Sequence, residues 1–185
     1  MSFVKSYELI LSEISEACKN INPQATESLA EQIISAEKVF LIGVGRVLIS
    51  LSAFSKRLNH LGISAYLVGE INEPAITDKD LLIAASGSGE TAIPLNIARI
   101  AKKYGAKVCH IGSNPESSLK QYTDHMVRIP VKTKLNLPDE LPSSQIMSSL
   151  FEQTLYILCD SICLMIADKK ALDIHSLWQF HANLE

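Results

Sequence analysis

The stretch Leu81-Leu82-Ile83-Ala84-Ala85-Ser86-Gly87-Ser88-Gly89-Glu90-Thr91-Ala92 decides how this chain of 185 residues folds. A run of apolar residues from Leu81 to Ala85 has the length and composition of a strand buried on both faces, the kind found in parallel sheets. Glycines and hydroxyls follow, and they open directly into a helical pattern over Ala92 to Tyr104, with Gly105 as its C-terminal cap.

Outward from this unit the alternation continues. Val39 to Ile42, Ala65 to Val68, Val108 to Ile111 and Met126 to Ile129 read as further strands, with helical stretches at Ile49 to Leu61, capped by Gly62, and at Glu116 to Gln121. Strand alternating with helix predicts an α/β domain whose parallel sheet is covered on both faces. For the strand order 2-1-3-4-5, ligands bind between the loops after the first and third strands, where the order reverses. Those are the two glycine-rich loops of this sequence.

Ahead of the sheet, Tyr7, Ile10, Leu11, Ile14, Ala17, Cys18 and Ile21 keep the spacing of an amphipathic helix. Asn22-Pro23 ends it and starts a second helix, with Asn22 as cap and Pro23 at the first helical position. Beyond the sheet, Val131 to Ser143 reads as a loop, and a long helix is expected from Gln145 to Ala167, apolar on most sides after Leu155. The expectation is a single domain over residues 1–185. It comprises N-terminal helices over 2–36, a sheet core over 38–130, and C-terminal helices and tail over 144–185.

Seventeen Lys and Arg against twenty Asp and Glu leave a net charge of −3, which gives no overall field for nucleic acid or an anionic membrane. Leu155 to Ala167 is interrupted by Asp160 and is shorter than the ~18 residues a membrane helix needs. The opening MSFVKSYELI lacks the pattern of a secretory leader. Cys18, Cys109, Cys159 and Cys163 form no CxxC pair, so neither a disulfide framework nor a metal site is expected. A cytoplasmic protein follows from these readings. The apolar content, 47%, favours an oligomer.

Ser86, Ser88 and Thr91 place hydroxyls at a helix N-terminus, where free N–H groups and a partial positive charge suit a phosphate; a plain serine-capped turn needs fewer such groups. After the first strand, Gly43-Val44-Gly45-Arg46-Val47-Leu48 lacks the third glycine of a dinucleotide fingerprint, despite Glu70 near the end of the second strand. No cofactor is expected, and the turn is read as displaying Arg46 beside the phosphate loop. Glu152, among Ile146, Met147, Leu150, Phe151 and Leu155, reads either as a general base or as an ordinary solvated helix residue. His60 fits a helix C-terminal cation as well as a site residue.

Several segments together resemble the 6-phospho-3-hexuloisomerase family of sugar isomerase (SIS) domains. They are Gly43 to Arg46, Arg57 to Gly62, Val68 to Glu70, Ser86 to Thr91, Asn114 to Ser118, Ser149 to Gln153 and the ending His181-Ala182-Asn183-Leu184-Glu185. The resemblance implies interconversion of D-arabino-3-hexulose 6-phosphate and fructose 6-phosphate through a cis-enediolate, as in formaldehyde fixation by the ribulose monophosphate pathway. It implies a homotetramer with shared active sites.

In that frame Glu152 is the base and His181 assists. Gly45, Ser86, Ser88 and Thr91 shape the phosphate site, Arg46 and Glu70 serve the sugar, and Glu90 and His60 are reserve candidates. The chain departs from the family pattern at Val47-Leu48, where Ser-Gly is usual, and at Ile146 and Ser148 within Gln145 to Ser148, where Gln-Pro-Met-Gly is usual. With these changes beside the pocket, two other readings stay open: a catalytically silent phosphosugar-binding protein, and an aldose-ketose isomerase of another phosphosugar.

Overall fold

The apolar runs become strands β1 (Val39–Ile42), β2 (Ala65–Leu67), β3 (Leu81–Ala85), β4 (Lys107–Gly112) and β5 (His125–Arg128). All pair in parallel, in the order β2-β1-β3-β4-β5. The structure is a computed structural model, and it describes residues 1–184. Glu185, the last residue of the terminal segment, lies outside the described residues.

Helices α1 (Phe3–Lys19) and α2 (Pro23–Ser35) precede the sheet, and α3 (Arg46–His60) and α4 (Ala92–Lys103) follow β1 and β3. The start of α2 is as the sequence predicts: Asn22 Oδ1 accepts the Ala25 N–H at 3.0 Å, and Pro23 stands in the first turn. Two apolar clusters lie on opposite faces of the sheet. One joins Leu29, Ile33, Leu51, Phe54 and Leu58 to the final helix α5 (Ser149–Lys169), and the smaller one packs Ala98 and Ala101 of α4 over Phe40, Leu82 and Val108.

Three expected boundaries shift. The helix expected at Glu116 to Gln121 is a 3₁₀ turn at Ser118–Tyr122, because the short β4–β5 connection leaves no room for a longer helix and the Glu90 carboxylate accepts the Ser118 N–H. Helix α3 begins at Arg46 rather than Ile49, since Gly45, at φ 59 and ψ −135, turns the chain sharply out of β1. Helix α5 begins at Ser149 rather than Gln145. Met147 takes a positive φ of 53, and the Gln145 side chain bonds to Glu13 instead of continuing a helix.

Among the described residues α5 is the one helix long and apolar enough to cross a membrane, yet more than half of it is buried against α1, α2 and α3. Leu150, Phe151, Leu155, Leu158 and Ile162 face the core, while Tyr156, Ile157 and Leu164 stay exposed. Leu155 has no exposed surface. Leu155→Ala is therefore expected to lower the unfolding free energy by about 2–5 kcal/mol, the usual range for an apolar truncation in a packed core. Urea unfolding of the two proteins measures it.

Candidate functional site

Because β1 and β3 are neighbours, the turns that leave them, 43–45 and 86–91, emerge side by side at the carboxyl edge of the sheet. Helices α3 and α4 start from these turns, and α5 starts at the same place. Thr91 and Ser148, the residues capping α4 and α5, both line a cavity of about 160 Å³, and neither side chain is used in a capping hydrogen bond. Two helix N-termini thus border one space, and a helix N-terminus favours an anion.

The wall of that cavity is the Ser86 to Thr91 turn. Ser86 Oγ lies 3.1 Å from Thr91 Oγ1 and accepts the Gly89 N–H at 3.1 Å, while Ser88 Oγ accepts the Glu90 N–H at 3.3 Å. Gly89 is required here: its φ is 67, and a Cβ would fall 2.1 Å from Ser117 Oγ. Beneath the turn, the buried ring of His110 lies with Nε2 3.0 Å from the Ser86 carbonyl oxygen. Burial holds His110 below its ordinary pKa although the Ser86 bond works the other way, so the ring is neutral and Nε2–H donates.

Glu152 stands in the first turn of α5 and also lines the cavity. Its surroundings differ from the expected apolar ones. Leu150, Phe151 and Leu155 turn into the core, and the carboxylate pairs with the Arg46 guanidinium from the start of α3. Ser50 Oγ donates to the Glu152 carbonyl at 3.1 Å, fixing α3 against α5. Arg46 and Glu152 also border a second groove, of about 370 Å³, with Ile14, Ile49, Tyr156 and Ile157.

The other candidates lie elsewhere. Glu70, expected beside the sugar, sits in the exposed turn after β2 and lines neither space. The Glu90 carboxylate accepts the Ser118 N–H at 2.7 Å, a bond that holds it below the usual carboxylate range and gives it an anchoring position.

His60 and His181 meet each other, with ring centroids 5.5 Å apart beside Trp178 and Arg57. That cluster is at the far end of α3 from Arg46, about 21 Å along the helix at 1.5 Å per residue. The sequence grouped Glu152 with His181; within one chain the structure separates them.

Thr133 and Lys134 line the cavity without having been singled out, and Ser148, noted only as a departure from the family pattern, lines it as well. They come from the 131–148 segment, which has no periodicity to read. It is held by acids: Glu13 accepts from Ser143 Oγ, Ser144 N–H and Gln145 Nε2, Asp139 from Arg128, and Glu140 from Thr133 and Leu137. Burial raises the Glu13 carboxyl, but its hydrogen bonds together outweigh that and lower it.

Residues 32–157 match the family model described as SIS domain. The chain is 37% identical to the 3-hexulose-6-phosphate isomerase of Bacillus subtilis over 95% of both proteins, and 34% identical to that of Mycobacterium gastri over 96% of this chain and 88% of the relative. It superposes with a TM-score of 0.83 and 30% identity on a protein of Methanococcus jannaschii, covering 98% of this chain and 99% of that one. That protein's crystal structure infers a molecular function of 3-hexulose-6-phosphate isomerase.

A proton taken up more readily by the unfolded chain weakens the fold as pH falls. His110, neutral in the fold, begins to cost stability below its ordinary value of 6.5, and Glu13 below 4.5. Urea midpoints are expected to decline from pH 7 to pH 5 and again below 4.5, with His110→Gln flattening the first decline. A first decline unchanged in that variant would contradict the neutral ring.

Proposed function

We propose that the chain, which belongs to the SIS domain family, is a 3-hexulose-6-phosphate isomerase, interconverting D-arabino-3-hexulose 6-phosphate and fructose 6-phosphate. The observation that carries this is a carboxylate, Glu152, at the rim of a hydroxyl-lined cavity that the capping residues of two helices, Thr91 and Ser148, help to line. The near full-length likeness to isomerases of that name supports it.

Ser86, Ser88 and Thr91 hold the phosphate in this reading, and Gly45 supplies the turn that brings Arg46 to the rim. Substrate opens the Arg46–Glu152 pair, whose Arg46 side chain is 64% exposed and so free to move. Glu152 then takes the proton from C2 of the 3-hexulose. The C–H electrons form the C2–C3 double bond, and negative charge gathers on O3, where Arg46 stabilises it. Return of a proton to C3 and loss of the proton on O2 leave the C2 carbonyl of fructose 6-phosphate. No step consumes an oxidant or reductant.

The active unit is a homotetramer, and His181, remote from Glu152 in its own chain, completes the site of a neighbouring copy. Exposed apolar side chains support an interface along α1, α3 and α5: Phe3, Tyr7 and Leu11, then Ile49, then Tyr156, Ile157 and Leu164. A cytoplasmic place in sugar-phosphate metabolism, in the ribulose monophosphate route of formaldehyde fixation, belongs to the same reading.

Glu152→Gln is expected to keep the fold and fructose 6-phosphate affinity while lowering kcat by about 10² to 10⁴, the usual worth of a positioned base. Ser88→Asp places like charge in the cradle and is expected to abolish phosphosugar binding by calorimetry. Wild-type turnover in the first variant removes Glu152 from the chemistry, and wild-type affinity in the second removes the loop from the site. Light scattering is expected to give the mass of a tetramer. A monomer at micromolar concentration contradicts the shared site.

A further inference from the structure

We propose that Lys134 is the counter-charge of the substrate phosphate and that Glu140 is the residue that positions it. This rests on the reading of the Ser86 to Thr91 cavity as a phosphate site. Apart from Glu152, Lys134 is the one charged side chain among the described residues lining that cavity. Arg46 lies in the adjoining groove and is engaged with Glu152. A dianion entering beside the Glu152 carboxylate, once substrate has opened its pair with Arg46, meets like charge that a second cation at the cavity offsets. Hydroxyls and helix N-termini attract an anion in general; a lysine ammonium adds a full charge with donors to spare.

The backbone that carries Lys134 is built onto the phosphate loop. Glu140 Oε1 accepts from Thr133 Oγ1 at 2.9 Å, and its Oε2 accepts the N–H groups of Thr133 and Leu137 at 3.1 and 3.0 Å. One carboxylate thus closes the turn on both sides of Lys134. Thr133 is buried, and its methyl group rests on the loop where a side chain at Gly87 would reach within 3.1 Å of it. Arg128 holds the outer end through Asp139. Lys134 also stands close enough to Glu90, an anchor of the phosphate loop, to attract its carboxylate. Lys134 is itself exposed, and it is this fixed backbone beside the cavity that sets it apart.

The selected ligand class is a phosphate monoester in its dianionic form, as against the neutral ketose. Calorimetry with inorganic phosphate and with fructose 6-phosphate tests this on the full chain. Lys134→Met is expected to weaken both by about tenfold or more, as loss of a hydrogen bond to a charged group does, and Lys134→Arg to recover most of that. KM should rise more than kcat falls. Glu140→Gln should weaken phosphate binding in the wild-type background but add little in Lys134→Met, because it acts through the lysine. Equal phosphate affinity in wild type and Lys134→Met overturns the role of the lysine alone. Additive losses overturn the positioning role of Glu140. A wild type that binds neither ligand overturns the phosphate reading of the cavity and this inference with it.

Discussion

Parallel pairing of β3 beside β1 is the constraint on which the rest of the site depends. With Val39 opposite Leu81 and Ile42 opposite Ala84, β3 ends one residue beyond β1, and their turns leave from one edge. Helices α3 and α4 then return on opposite faces, because each must bury its own apolar side against the sheet. Their N-termini therefore stay together at the edge while their bodies diverge. Helix α5 fills the remaining space on the α3 side, and the Ser50 to Glu152 hydrogen bond fixes its first turn beside Arg46. A hydroxyl-lined cavity and a carboxylate meet there as a consequence of topology.

The sheet and the two glycine turns were legible because their causes are local. A short apolar run between glycines reads as a buried strand, and Asn22-Pro23 carries its own helix start. Residues 131–148 were opaque for the opposite reason. Their order comes from acids distant in sequence, such as Glu13 on α1 holding Ser143 to Gln145. Thr133 and Lys134 went unnoticed accordingly. The position of Glu152 was legible but its surroundings were not, since Arg46 reaches it from the start of another helix. His181 was joined to Glu152 by resemblance, which does not say which copy of the chain supplies a residue.

Charge is arranged in the site with little redundancy. Arg46 and Glu152 neutralise each other at the rim, Lys134 and the helix caps Thr91 and Ser148 line the cavity, and Glu90 is engaged in holding Ser118. Two of the departures from the family pattern, Val47 and Ser148, line the cavity itself, whereas Ile146 is 80% exposed. Val47 brings apolar bulk and Ser148 a hydroxyl to that space. Such exchanges bear on which phosphosugar fits, while the carboxylate, the hydroxyl loop and the helix ends stay in place.

The most direct test follows the carbon at which the proton is exchanged. Incubating the protein with fructose 6-phosphate in heavy water and observing it by proton NMR separates the reactions a SIS domain could perform on this ligand. A 2-keto to 3-keto isomerase is predicted to exchange the hydrogen at C3 for deuterium or to produce 3-hexulose 6-phosphate, leaving C1 untouched. Exchange confined to C1 would reveal aldose-ketose chemistry. Binding with no exchange and no product would identify a silent phosphosugar receptor, and either result would contradict the isomerase assigned here.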